Sequence, residues 1–452
     1  MLCQKNTDQR LSIIDWFMIA FVCVLCTCFA LVIDPAYCPD ESRRKLVSDW
    51  IFNNAALPQG NEAELIIPGY GFSYTVRPYL SAIIGAACMH VVCHVTTDPA
   101  VLLASTRICS ILSITAVCYY CLKAGRMLFA NRAAARLFAG IVCFLPQVIF
   151  VGSYQNNDAL SMAAVCMMLY YLVLGTKQHW SVGSCVGLSV GMSLCLLAYY
   201  NAYGWILMAV VFCIRSCLQD KEIHRKLLFI TKRAALIGCI IAVLAGWHFI
   251  RNAILLDGDF LGFRAEMLSR QQLQSAGVEL ISYRNLYQAG HPLSYMFQMN
   301  DGMFIPYTLK SFIGVFGYMD IFMPEIMYGL YLGIILTGIM VYAVASFACK
   351  KSPLQRNVML MMSGASLITI VLHIVHSYFR DFQAQGRYVL TVAVFLAWLI
   401  AYGFDHVEIH SSTEEHRNGG VIRTARISNG MLLIWIMLFV SSFHNTMSMM
   451  LK

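Results

Sequence analysis

Long apolar runs recur along the chain, separated alternately by short basic turns and by longer mixed segments. They occupy residues 13–33, 101–122, 134–151, 159–174, 182–198, 202–214, 234–250, 326–348, 358–375, 389–402 and 431–443. A helix rises 1.5 Å per residue, so about 20 apolar residues cross the roughly 30 Å of hydrocarbon in a bilayer. Inside hydrocarbon no water satisfies backbone N–H and C=O groups, which leaves the helix as the structure such runs adopt. The pattern therefore predicts an all-α, polytopic transmembrane protein of about eleven spans, with 78–95 as an ambiguous twelfth. The first run is too long for a signal-peptide core and is followed by no small-residue cleavage site, so it is expected to stay as a span.

Composition agrees with this picture and narrows it. With 59% hydrophobic and 12% charged residues, the chain is excluded from the class of water-soluble domains. The 18 cysteines do not read as a disulfide framework. Cys23, Cys26, Cys28, Cys118 and Cys121 fall inside apolar runs, where thiols behave as small apolar groups, and only Cys38, Cys88 and Cys93 are expected to face the outer compartment.

Charge orients the spans. Eleven spans with a cytoplasmic N-terminus place most of the 32 Lys and Arg in inner turns, above all Arg215, Lys221, Arg225, Lys226, Lys232 and Arg233. Letting 78–95 cross as well reverses that balance. Twelve spans with the N-terminus outside satisfy the charge rule too, but place Asp40 opposite the other polar clusters. The polar inner segment 410–426 is expected to be disordered.

In the eleven-span arrangement one face collects nearly all irregular polar sequence: residues 34–77, 154–158, 199–201, 251–323 and 380–388. This predicts a single membrane domain over 1–452, with a first outer loop at 34–100 bearing juxtamembrane helices and a long outer loop at 251–323. One site is expected beneath those loops. The first loop opens on Asp40-Glu41, and a carboxylate partly desolvated at a membrane edge becomes a usable base near neutral pH. Asn157 or Asp158 is placed to cap the helix that follows it. His90 with His94 and His373 with His376 have spacings that chelate, and Asp40 with Asp158 offers oxygen ligands to Mg or Mn, but the expectation is no metal. No internal repeat, phosphate-binding glycine-rich loop or Ser-His-Asp arrangement is present.

The ordered segments 39–43 (PDESR), 69–74 (GYGFSY) with 77–80 (RPYL), Arg107, 156–160 (NNDAL), 247–252 (WHFIRN), 311–318 (SFIGVFGY) and 385–388 (QGRY) resemble those of GT-C membrane glycosyltransferases. The chain looks closest to an uncharacterised bacterial membrane-protein family, domain of unknown function 2142. This resemblance implies transfer of a sugar from a polyprenyl-phosphate or polyprenyl-pyrophosphate carrier to a glycan or cell-envelope acceptor, with inversion, on the outer face of a bacterial plasma membrane. It places the key aspartate at Asp40 and an assisting acid, which binds metal or acceptor, at Asp158. It also makes 78–95 a juxtamembrane helix. Inverting transfer needs a base opposite a leaving phosphate. Asp40 suits the base, with Glu41 orienting the acceptor or capping the next helix. Arg387 is the first candidate for the phosphate, since its guanidinium offers a fixed fork of donors and Gly386 permits close backbone approach. Arg380 and Arg251 are further candidates. Tyr70 and Tyr74, with Asn157, are candidates for sugar or acceptor contact. The expected partners are the lipid-linked donor, the acceptor and membrane lipids, with no nucleic acid. A lipid-linked polysaccharide polymerase or ligase and a transporter or flippase are the competing classes.

Overall fold

Ser12 starts the first helix, α1 (Ile13–Val32): its hydroxyl accepts from Asp15 N, and the Asp15 carboxylate accepts from Ser12 N in return. The structure is a computed structural model that describes residues 10–280, 286–411, 419–447 and 450; residues 412–418 of the expected disordered segment lie outside the described residues. After α1 come α2 (Glu41–Asn54), α3 (Leu80–Val92) and α4 (Pro99–Thr106), and then α5 (Ile108–Leu128) and α6 (Arg132–Cys143). Asp15 is fully buried and binds Arg126 near the end of α5 and Arg136 in α6, the latter at 2.8 Å. At the opposite end of α1, Arg107 donates to the carbonyls of Ala30 at 2.6 Å and Ile33 at 3.2 Å.

Those two ties decide the topology of the first loop. α1 and α5 run antiparallel, and α5 begins at the same end of the bundle where α1 finishes. Everything between them therefore leaves and returns to one face, so 78–95 does not cross. At 13 residues, α3 spans only about 20 Å, and it packs on α2 with Ser48 Oγ donating to Ala82 O at 3.0 Å.

The walk continues in the same alternation. Pro146 lacks a backbone N–H and breaks the next pass into α6 and α7 (Pro146–Val151). It is followed by α8 (Asp158–Lys177), α9 (Val182–Ala198), α10 (Tyr203–Gln219) and α11 (Lys226–Leu244), which continues as α12 (Gly246–Leu255). α11 starts eight residues before the expected run. Lys226, Lys232 and Arg233 can extend their stems along the helix and keep their charges at the surface. The segment 251–323 then carries α13 (Phe263–Ser275), α14 (Leu293–Gly302), α15 (Phe304–Gly314) and a two-stranded antiparallel hairpin, Val315–Phe316 with Ile321–Phe322. The last passes are α16 (Glu325–Ala348), α17 (Pro353–Phe379), α18 (Val392–Ser411) and α19 (Gly419–Met447).

Cross-links mark the two ends. On the Asp15 side, Ala130 N and Asn131 N donate to Asp405 of α18, and Arg215 of α10 donates to Asn357 of α17 at 2.7 Å. On the other side, Asn252 of α12 donates to Val76 O at 2.9 Å, Asn201 to Tyr388 O at 3.4 Å, and Asp34 N to Met450 O at 3.2 Å. Among the described residues, eight helices are long and apolar enough to cross a membrane by length and composition. The 132–151 pass and the shorter apolar helices Val182–Ala198 and Val392–His406 complete eleven. The core lies between α1, α5, α6, α8, α9 and α18, whereas α11 is peripheral: it fully buries no residue and packs one side, through Phe229, Ile230, Leu236, Ile237 and Ile241, against the core.

A reporter fused near Lys226 is expected to read cytoplasmic and one inserted near Gln59 external. Matching readings at both sites would overturn this topology.

Candidate functional site

Glu41 opens α2 with no solvent exposure, and its carboxylate takes a forked pair of bonds from Arg107, at 2.9 Å from Nε and 2.6 Å from Nη2. The same carboxylate accepts from Gln155 N at 2.8 Å. With the Ala30 and Ile33 carbonyls on Nη1, every face of this buried ion pair is satisfied, the condition under which burying two charges is tolerated. The pair binds together the end of α1, the start of α2, the α4–α5 junction and the 154–158 turn. Glu41 does not line the cavity described below, and its bonds anchor the chain directly after Asp40.

Asp40 itself lies in the left-handed region at φ 62°, where aspartate is among the few side chains tolerated. Its carboxylate turns away from Glu41 to meet Arg387 Nη2 at 2.8 Å and Arg43 Nη1 at 3.3 Å. Burial raises the cost of charging Asp40, but Arg387, Arg44 and Arg43 outweigh it and hold the carboxyl down at about 2. The sequence reading set base and phosphate cation on opposite sides of a donor; here the two are in direct contact, because half-buried opposite charges gain most by pairing.

Arg387 is 9% exposed and its Nε is buried without a hydrogen-bond partner. Gly386 next to it serves packing rather than ligand approach. A Cβ there would lie 2.1 Å from Phe312 N and 2.3 Å from Thr308 O, and Gly386 N donates to Ser311 Oγ at 2.6 Å. Thus α15 and the 385–388 turn are pressed together backbone to backbone, which aims Arg387 at Asp40.

A cavity of about 1020 Å³ opens at this end of the bundle. Asp40, Asp158, Arg387, Arg380, Tyr70, Tyr74 and Asn157 all line it, and Arg251 does not. Arg251 instead donates to Asn252 Oδ1 at 2.9 Å and lies 5.8 Å from the Tyr79 ring. Asn157 is spent as a latch, accepting from Ser81 Oγ and donating to Pro78 O at 3.0 Å. Asn157 stands at the N-cap of α8 but makes no side-chain cap bond; the side-chain bond to the first turn comes from Asn156, which accepts from Ala159 N at 2.9 Å. That leaves the Asp158 carboxylate, 6% exposed, to face the cavity. Tyr70 and Tyr74 each carry a guanidinium on one face, Arg43 at 4.3 Å and Arg44 at 4.7 Å. Burial pushes the Tyr74 hydroxyl up to about 12, so it is a neutral donor at working pH.

Arg44 is a residue the sequence reading passed over. It lies one helical turn after Asp40, its Nε is buried without a partner, and its charge favours ionised Asp40. The i, i+4 spacing was legible as a shared helix face. Arg77 and Glu266, 189 residues apart, form a second forked ion pair, at 3.2 and 2.8 Å, and carried no local signal. The residues fit a divalent cation poorly. Asp40 is engaged by Arg387 and Arg43, and no group of three His, Cys, Asp or Glu gathers among the described residues. His373 instead stacks on Phe304, with ring centroids 5.4 Å apart.

Solved structures with a similar fold include ArnT from Cupriavidus metallidurans bound to undecaprenyl phosphate. It matches at a TM-score of 0.54 and 13% identity, over 96% of this chain and 79% of that one. The archaeal oligosaccharyltransferase AglB from Archaeoglobus fulgidus, in complex with an inhibitory peptide and a dolichol-phosphate, matches at 0.50 and 13%, over 95% of this chain and 56% of that one. An Archaeoglobus fulgidus oligosaccharyltransferase complex with Zn and sulfate matches at 0.51 and 15%, over 93% and 52%. This chain thus spans about half the length of those oligosaccharyltransferases. These neighbours are GT-C glycosyltransferases, and the chain shares their polytopic helical fold. No protein-family model matches the chain and no curated protein matches its sequence, so the likeness to domain of unknown function 2142 gains no support.

Glu41→Gln keeps shape but leaves Arg107 buried without its counter-charge, and is expected to cost about 3 to 5 kcal/mol of stability, read as a lower melting temperature in detergent. A variant as stable as the parent would return Glu41 to the list of chemical groups.

Proposed function

We propose that this protein is a membrane glycosyltransferase that takes a sugar from a polyprenyl-phosphate-linked donor and passes it, with inversion, to an acceptor. The excess of Lys and Arg in the opposite loops supports an outer-face reaction, and the proposed setting is a bacterial plasma membrane. The observation that carries the reading is the Asp40–Arg387 contact: a buried guanidinium with a spare donor, beside a carboxylate, in the lining of a large cavity among membrane helices.

The contact supports a simple sequence of events. The donor's phosphate competes with Asp40 for Arg387, and Arg44 supplies the next positive charge in the same place. Once Arg387 turns to phosphate, Asp40 loses the counter-charge that held its proton affinity down, while its burial remains. Its pKa then rises and it becomes a competent base. The acceptor oxygen attacks the anomeric carbon as its proton passes to Asp40. The bond from that carbon to the phosphate oxygen breaks, with its electron pair going to the phosphate. Arg387 stabilises the charge that collects there. Asp158, buried on the cavity wall, is placed to hold an acceptor hydroxyl.

Purified protein is therefore expected to release polyprenyl phosphate from a labelled lipid-linked sugar, and failure with a broad set of such donors would sink the reading. Asp40→Asn keeps size but not proton affinity, so the transfer rate should fall by about 10²- to 10⁴-fold while the protein still binds donor. Near-parental transfer would move the base to Asp158.

Arg387→Lys keeps charge and loses the fork, so weak transfer should persist with a raised donor KM, and Arg387→Ala should lose more. Unchanged donor turnover by Arg387→Ala would shift the phosphate site to Arg44 or Arg380.

A further inference from the structure

The cavity has two electrostatic neighbourhoods. At the inner one Arg387, Arg43 and Arg44 act on Asp40, while Asp158 feels Arg387 and Arg44. At the outer one Asp381 faces Arg270 and Arg77, and Arg380 lies over the Phe263 ring at 5.5 Å. Between these outer groups runs α13, whose residues Phe263, Glu266, Met267, Arg270, Gln271 and Gln274 line the cavity. Their spacing of three, one, three, one and three marks one continuous helix face.

α13 is held against the first outer loop at defined points. Glu266 is gripped by Arg77, Ser269 Oγ donates to Gly71 O at 2.8 Å, and Arg270 Nη1 donates to Tyr70 O at 3.0 Å. Gly262 enters the helix at φ 75° with no room for a side chain, since a Cβ would sit 2.2 Å from Val76 O. The helix is thus positioned by its anchors, and Gln271 and Gln274 are left as its amide-bearing cavity residues. Across from it the 381–387 turn presents a ladder, with Gln385 donating to Gln383 at 2.6 Å and Gln383 in turn to Asp381. Tyr287, packed against Tyr378 and Phe379, adds aromatic surface to the same lining.

We propose that this outer lobe is a saccharide subsite for the acceptor, with α13 as its specificity element, a reading that rests on the glycosyltransferase assignment. Primary amides present a donor and an acceptor side by side and match vicinal hydroxyls, while tyrosine faces cover the apolar side of a pyranose ring. Apolar residues such as Phe263, Met267 and Leu280 share this lining, and the amides and the tyrosine face set among them are what favour a saccharide. Its volume also accommodates an acceptor beside a donor head group, since about 1020 Å³ sits at the upper end of single-ligand sites.

The test uses the full-length protein in detergent with maltotriose, chitotriose and xylotriose as probes, first by equilibrium binding without donor and then as acceptors. At least one probe is expected to bind, and the double variant Gln271→Ala/Gln274→Ala should weaken it about tenfold. In transfer assays the same variant should raise acceptor KM by a similar factor with kcat within about twofold of the parent. Gln271→Asn/Gln274→Asn should recover part of the affinity, which a merely structural role would not produce. Binding of no probe, or parental affinity in the alanine variant, overturns the subsite. Probe binding without release of polyprenyl phosphate from any donor would instead sink the transferase reading and leave a saccharide site in place.

Discussion

The Arg107–Glu41 pair is the constraint on which the site depends. It takes two charges out of water and offsets that cost with bonds that join four separate segments, so moving any of the four breaks either a buried hydrogen bond or the ion pair itself. One consequence is topological, since it brings the end of α1 to the start of α5. Another is chemical. Asp40 precedes Glu41, and its left-handed backbone sends its carboxylate into the cavity while Glu41 faces the protein interior.

A second layer of order comes from close backbone packing on the same face. Gly386 against α15 and Gly262 against Val76 admit no side chain, and they set the 385–388 turn and α13 relative to the bundle. Segments that look unrelated along the chain are thereby parts of one wall. The 311–318 segment supplies the Ser311 hydroxyl for Gly386 N, and the 247–252 segment supplies Asn252 for Val76 O. Polar side chains thus position backbone, and the freed arginines and carboxylates face the cavity.

Charge pairing in the cavity also suits a transfer reaction. Asp40 and Arg387 neutralise each other at rest, so part of the cost of burying each charge is offset by the other. On the function proposed above, an incoming phosphate would take the place of Asp40 on Arg387 and so release a carboxyl that the arginines otherwise hold strongly acidic.

The eleven apolar runs were readable because hydrocarbon leaves the backbone no alternative to a helix, and the loop charges indicated which ends lie together. The sequence by itself also singled out Asp40, Asp158 and Arg387 as polar groups on one face. It did not reveal that Glu41 would be spent on Arg107, 66 residues away, that Arg387 would reach Asp40 across 347 residues, or that Arg251 would stand outside the cavity. Neighbouring acids such as Asp40 and Glu41 are equivalent in composition and spacing, and several arginines could have served either. Which carboxylate met which cation was decided by the packing of passes, because a buried charge is stable only where a partner and its hydrogen bonds converge, and that convergence exists only in three dimensions.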